Sequence, residues 1–289
     1  MTEIIKKNKD DLINNAAIDE LTRHILKMPQ AYCPVAHYFG PGTYIRQVTM
    51  PSGIFAIGHR QRFEQMNIFL QGRLAMLQPD GSTKEIAAPM IFTGPPGQKM
   101  GIILETVTWL NIYPNPDDER DIDILENRFL DKDGPWTERE QAEKEKRRND
   151  RRSDRDDYKR FLEEVELTEE EIRRESEYDG DLTDMPEGFS SVITVRDSDI
   201  EGKGVFASWP FEIGQIIGLA RIGLKRTQIG RYLNHSGDPN AEFKLMNNGD
   251  ILLIATRYIP GCRGGDKGTE LTVDYRKSYQ LRIKQCQES

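Results

Sequence analysis

Three short stretches carry the residue types and spacing that could do chemistry. The first is Arg231-Tyr-Leu-Asn-His-Ser-Gly-Asp-Pro-Asn240, a dense polar turn between apolar runs. Asn, Ser, Gly, Asp and Pro favour local hydrogen-bonded turns, so regular structure should break here. A histidine held in such a turn, His235, can present both its ring and its backbone to a ligand. The second is Glu270-Leu-Thr-Val-Asp-Tyr275, where Leu271, Val273 and Tyr275 alternate with Thr272 and Asp274. That alternation reads as a strand. The third is Ile200-Glu-Gly-Lys-Gly-Val-Phe-Ala207, two glycines beside an apolar strand. Without a Cβ, backbone at Gly202 and Gly204 can approach a ligand closely.

Taken together and in this order, Gly202-Lys-Gly-Val-Phe-Ala207, Asn234-His-Ser-Gly-Asp-Pro-Asn240, Ala255-Thr-Arg-Tyr-Ile259 and Glu270-Leu-Thr-Val-Asp-Tyr275 resemble the SET-domain family of protein lysine methyltransferases. The resemblance implies S-adenosylmethionine as cofactor, a protein with an exposed lysine as substrate, and no metal. It places Gly202, Lys203, Gly204 and Val205 along the cofactor, with the backbone of Lys203 and Gly204 at its methionine end. Asn234 and His235 would hydrogen-bond its amino and adenine ends. Tyr275 would point its hydroxyl at the transferring methyl as the catalytic residue, with Glu270 and Asp274 supporting the fold. Residues 231–240, threaded under the final strand, would make the family's pseudoknot. The chemistry demands a neutral amine, because an ammonium has no lone pair. Free lysine titrates near 10.4, and a desolvated channel beside a sulfonium lowers that value.

The sequence departs from the family pattern in places. Gly237 stands where a Cys is frequent. Few residues separate Arg221 from Asn234, where most members insert a segment that walls the substrate groove. Residues 224–229 can supply one helical turn at most. No cysteine-rich segment follows Tyr275, and residues 261–267 form a glycine-rich insertion expected to be a mobile loop. Such a trimmed domain resembles the compact versions of viruses and bacteria, and the whole chain, with a barrel and a charged linker ahead of this domain, resembles proteins of tailed bacteriophages.

The elements that must position these residues divide the chain into an arm at 1–30, a β domain at 31–130, a charged, partly helical linker at 131–186, the SET domain at 187–280 and a tail at 281–289. Residues 9–28 have helical spacing through Leu12, Ala16, Leu21, Ile25 and Met28. From 31 to 130, short apolar runs at 54–57, 67–70, 74–77 and 102–104 alternate with Gly- and Pro-marked turns. That texture predicts a sandwich or barrel. Gly58-His-Arg-Gln61, Glu64-Gln65, Gly72-Arg-Leu74 and residues 88–97 resemble the cupin family of small β-barrels. Metal-binding cupins use several imidazoles; here only His59 remains, with Gln61 and Met100 at the other positions, so no metal is expected. The overall expectation is a mainly β fold: cupin-like barrel, charged helical linker, SET fold with pseudoknot.

In the linker, residues 143–157 mix both charge signs and read as a solvated linker or exposed helix. Tyr158, Phe161, Leu162 and Val165 then give a short amphipathic helix, and Thr168-Glu-Glu-Glu171 a capping box. The net charge of −8 argues against nucleic-acid binding by the whole chain. Three separated cysteines, Cys33, Cys262 and Cys286, fit neither a disulfide framework nor a zinc cluster. No signal core or bilayer-length apolar run is present, so a cytoplasmic location, or a virion if viral, is expected. The cupin resemblance points to a homo-oligomer formed through the N-terminal half. The resemblances leave two functions open: lysine methylation, with the barrel for oligomerisation or targeting, or a noncatalytic assembly protein that keeps the SET fold.

Overall fold

A computed structural model describes residues 16–78, 81–132, 134–150, 152–186, 192–263 and 266–288. The chain is mainly β, in two halves joined by helices. Helix α1 covers residues 16–26; the expected segment at 9–15 lies outside the described residues. The N-terminal half follows with β1 (Val35–Gly40), β2 (Thr43–Met50), β3 (Phe55–Ile57), β4 (Arg60–Gln61), β5 (Gln65–Leu77), β6 (Thr83–Ala87), β7 (Met90–Gly94), β8 (Met100–Pro114), α2 (Ile122–Phe129) and β9 (Leu130–Asp131). Its main sheet runs β1-β2-β8-β5-β6, with β3 added to β8 and β7 to β5.

Side chains alternate along β5, as a strand requires. Gln65, Asn67 and Phe69 are buried while Met66 and Leu70 are exposed. The buried polar groups are satisfied by one another: Asn67 Oδ1 accepts from Trp109 Nε1 at 3.0 Å and Asn111 Nδ2 at 2.7 Å. Phe69, Leu74, Ile103, Val107 and Trp109 form the apolar core of the sheet. The runs at 67–70 and 74–77 belong to one strand rather than two. Gly72, at φ +93°, bends it where a Cβ would lie 2.2 Å from the Thr106 carbonyl oxygen. The glycine sits at a register shift within a continuous strand.

The charged segment folds into α3 (Pro135–Asp150), α4 (Arg152–Glu164) and α5 (Glu169–Glu177). The capping box at Thr168 and Glu171 opens α5. The C-terminal half comprises β10 (Ile193–Asp197), β11 (Lys203–Ala207), β12 (Ile216–Ile222), β13 (Lys225–Arg226), α6 (Gln228–Tyr232), β14 (Asn234–His235), β15 (Ala241–Leu245), β16 (Ile251–Ala255), β17 (Thr269–Val273) and α7 (Tyr275–Glu288). Two four-stranded sheets, β10-β11-β17-β14 and β13-β12-β16-β15, enclose a core that includes Val205, Ile217, Leu253 and Leu271.

A buried polar joint fastens the halves. Glu126 of α2 lies 3.2 Å from Arg46, 2.6 Å from Lys132 and 2.5 Å from Arg196 of β10. Arg196 also meets Asp123 at 2.9 Å. Burial works against the charge on Glu126, but Arg196, Lys132 and Arg46 hold its carboxyl well below the usual range. Removing one partner of such a buried cluster strands the others, a cost of about 3–5 kcal/mol.

Candidate functional site

The strand expected to end at Tyr275 ends at Val273 instead, and Tyr275 opens α7. The side chain of Asp274 accepts from the Arg276 amide at 3.0 Å and its carbonyl from that of Ser278 at 3.2 Å, so the chain converts to helix one residue before the phenol. Tyr275 is thereby fixed at both ends. Its hydroxyl donates to the Leu233 carbonyl at 2.8 Å and its amide donates to His235 Nδ1 at 3.2 Å. Burial pushes the phenol well above its ordinary value. It stays neutral at physiological pH, able to orient a group but not to act as a resting phenolate base.

Residues 231–240 lie against the last strand. β14 pairs with β17 in parallel, Asn234 opposite Thr272 and His235 opposite Val273. Asn240 locks the crossing: its Nδ2 donates to the Glu270 carbonyl at 2.8 Å and its Oδ1 accepts from the Thr272 amide at 2.9 Å.

Two of the expected cofactor residues, Asn234 and Gly204, meet one buried carboxylate. Glu270 Oε1 accepts from Ser198 Oγ at 2.6 Å and Asn234 Nδ2 at 2.9 Å. The same Asn234 nitrogen lies 3.2 Å from the Glu201 carbonyl and 3.1 Å from that of Lys203. The Asn234 amide nitrogen is therefore spent on holding the 201–203 turn against β17. Gly204 is tight, since a Cβ there would lie 2.5 Å from Glu270 Oε1. Gly202, at φ +48°, has no atom within 4 Å of where a Cβ would lie. Lys203 turns its ammonium to Asp121 and to Asp197, the latter at 2.6 Å. Val205 is fully buried in the core, so its side chain offers nothing to a ligand.

Helix α4 is the part of the site that sequence reasoning missed. Asp157 Oδ2 lies 3.1 Å from His235 Nε2 and 2.7 Å from an Arg276 guanidinium nitrogen. Since His235 Nδ1 accepts from a peptide N–H, the ring proton sits on Nε2 and points at Asp157. Asp154 accepts from Ser236 Oγ at 3.0 Å and the Gly237 amide at 2.9 Å. Phe161 stacks 6.2 Å from His235, and the rings of Tyr158 and Phe161 lie 6.0 and 5.9 Å from Tyr275. The signal was there in part. Asp154, Asp157, Tyr158 and Phe161 recur at steps of three and four and so share a helix face.

Beside Tyr275 opens a cavity of about 420 Å³, lined in part by Leu233, Phe243, Val273, Tyr279 and Phe161. Beside the short 221–234 connection, one side of this cavity is supplied by upstream residues. Arg226 forks onto Asp181 at 2.8 and 2.7 Å and reaches the Tyr178 carbonyl at 2.6 Å. Arg231 meets Asp179 at 2.8 Å. Backbone bonds add to this: the Arg226 amide donates to the Asp181 carbonyl at 2.7 Å, and Thr183 donates back to Arg226 at 2.8 Å. Ile172 and Ser176 of α5, and Tyr178 beyond it, line the cavity as a result.

In the barrel, His59 packs 4.6 Å from the Trp136 ring, and Gln61 accepts from the Tyr113 hydroxyl at 2.8 Å. Among the described residues no group of three or more His, Cys, Asp or Glu could hold a metal. No helix among them is long and apolar enough to cross a membrane.

Comparison with known proteins gives two separate likenesses. The family model of the SET domain matches residues 141–276, a span that begins within α3 and ends just past Tyr275. Solved structures similar to the N-terminal part are cupin-fold proteins. One is an RmlC-like cupin family protein with a double-stranded β-helix fold from Methanocaldococcus jannaschii, at 16% identity, covering 32% of this chain and 87% of that one, with a TM-score of 0.25. A second is a cupin-2 domain containing protein from Shewanella frigidimarina, at 12% identity, 32% and 91% coverage and a TM-score of 0.24. A third is KdgF from Halomonas sp., at 14% identity, 34% and 91% coverage and a TM-score of 0.26. A search of curated proteins found no match.

Proposed function

We propose that the C-terminal half transfers a methyl group from S-adenosylmethionine to a lysine side chain of a protein. The observation that carries this reading is the placement of Tyr275. Its neutral phenol is anchored to the Leu233 carbonyl at 2.8 Å and borders a cavity whose walls combine Leu233, Phe243 and Val273 with charged residues such as Arg226 and Asp181. In this reading the cofactor is held through backbone and not through the side chains of Asn234 and His235. Gly202 leaves open space, whereas the Asn234 amide nitrogen and both His235 ring nitrogens are already engaged. When bound, S-adenosylmethionine supplies the electrophilic methyl. The chain's own residues have the remaining tasks. Phe243, Val273 and Leu233 exclude water, which disfavours the ammonium form of an entering lysine. The Tyr275 oxygen orients the amine, and alignment of that kind accounts for most of the rate gain available to a direct displacement.

Calorimetric titration with S-adenosylmethionine tests the reading. Saturable one-to-one binding is expected. Absence of binding at millimolar cofactor would remove the basis for transfer.

One observation favours the second reading, a noncatalytic assembly protein. Tyr158 and Phe161 of α4 pack on His235 and Tyr275, so this chain covers part of its own site. In that reading the polar network around Glu270 is purely structural. The barrel serves association of copies of the chain in either case.

A further inference from the structure

The N-terminal half holds a second cavity, of about 450 Å³, that the methyl-transfer reading does not use. Protein interiors contain few voids larger than a water molecule, so a space of this size is not a packing defect. It falls within the range of small-molecule sites. Val48, Leu74, Met76, Ile103 and Trp109 give it apolar walls. Ile25 and Leu26 of α1 and Trp136 of α3 also line it, so helices outside the sheet help to enclose it.

The charged groups in this cavity are of one sign. No aspartate or glutamate is among the described residues that line it, while Arg46 and Lys99 are. Arg46 already pairs with Glu126 at 3.2 Å. Lys99 has no such partner among the described residues. Its ammonium donates to the Pro95 carbonyl at 3.2 Å. With the Gln65 amide turned to suit its neighbours, it also donates to the Gln65 oxygen at 3.1 Å. Both acceptors are neutral. Burial alone pulls the lysine below its ordinary value, with no nearby carboxylate raising it. A half-buried cation with a proton to spare, at the edge of an apolar chamber, lacks an anion.

We propose that the barrel binds a small molecule with an apolar body and a single carboxylate, the carboxylate pairing with Lys99. No metal takes part, and the site is separate from the cavity beside Tyr275.

Octanoate is the probe, with octanol and octylamine as controls, on the full chain. Binding is followed by calorimetry and by tryptophan fluorescence, since Trp109 and Trp136 line the cavity. Octanoate should saturate one site and change the emission, while octylamine should do neither. Lys99→Met should weaken octanoate by about tenfold or more, and Lys99→Arg should largely preserve it. Both variants lie outside the proposed methyl-transfer site, and circular dichroism with thermal melting checks that they are folded. Three results would each overturn the proposal: no saturable octanoate signal, octanol binding as tightly as octanoate, or undiminished binding by folded Lys99→Met.

Discussion

Asp157 accepts the Nε2 proton of His235 at 3.1 Å, so a helix outside both C-terminal sheets fixes the tautomer of the ring on which the Tyr275 amide rests. The same carboxylate takes a guanidinium nitrogen of Arg276 at 2.7 Å. One acid thus ties α4 to the turn at 234–237 and to the start of α7.

Asp157→Asn should cost about 1–3 kcal/mol of stability at neutral pH. The hydrogen bond from Arg276, with help from His235, holds the Asp157 carboxyl below its usual value against the opposing effect of burial. A depressed folded-state value means the stabilisation is complete above the ordinary aspartate range. It is lost as pH falls through the lower folded-state value. The gap between wild type and Asp157→Asn in denaturation midpoints should therefore narrow from about pH 4 downward. A gap that stays constant into acid would contradict this role.

Arg226→Ala should detach the upstream wall. Arg226 is buried and holds both Asp181 oxygens, so the loss should be about 2–3 kcal/mol. Hydrogen exchange should rise in α5 and in residues 178–182 first. Unchanged protection there, with a global loss instead, would show that the wall does not depend on this fork.

Self-association should map to the outer face of the barrel sheet. Met66, Leu70 and Ile91 are 50%, 55% and 71% exposed, and Ile91 stands opposite Ile68. Exposed apolar residues clustered on one face favour a partner, most simply a second copy related by a two-fold axis. Light scattering should find a dimer for the wild type and a monomer for Ile91→Glu with Leu70→Glu. A wild-type monomer at all concentrations would contradict it.

Elemental analysis of tag-free protein should find no stoichiometric zinc, iron or manganese. His59 packs against Trp136, and Gln61 and Met100 cannot complete a ligand set. A metal present at one per chain and lost on His59→Ala would contradict this.

Local chemistry made parts of the site legible. The turn at 234–240 and the glycines at 202 and 204 announce themselves by composition over a few residues. The pairing of β14 with β17 was implied by the family resemblance and not by local chemistry; in the structure the Asn240 amide bonds both Glu270 and Thr272 at that pairing. What was not legible depends on distant partners. The acids at 154 and 157 read as part of a solvated charge run because Ser236 and His235 lie far along the chain. The alternation through Tyr275 suggested a strand because only the cap formed by Asp274 ends it. The runs at 67–70 and 74–77 read as separate because the close approach of the Thr106 carbonyl to Gly72, which lets one strand pass through, cannot be seen locally.

The most direct test compares wild type with Tyr275→Phe in transfer of a labelled methyl from S-adenosylmethionine to lysine-rich proteins. The substitution keeps the ring and its packing and removes only the hydroxyl donated to Leu233. Stability should change by about 1 kcal/mol, and cofactor binding little. Methyl transfer should be clear for wild type and fall by about two orders of magnitude or more in the variant. Equal labelling by both would show that the phenol is not catalytic. No labelling by a wild type that binds the cofactor would contradict the proposed activity and favour a noncatalytic role.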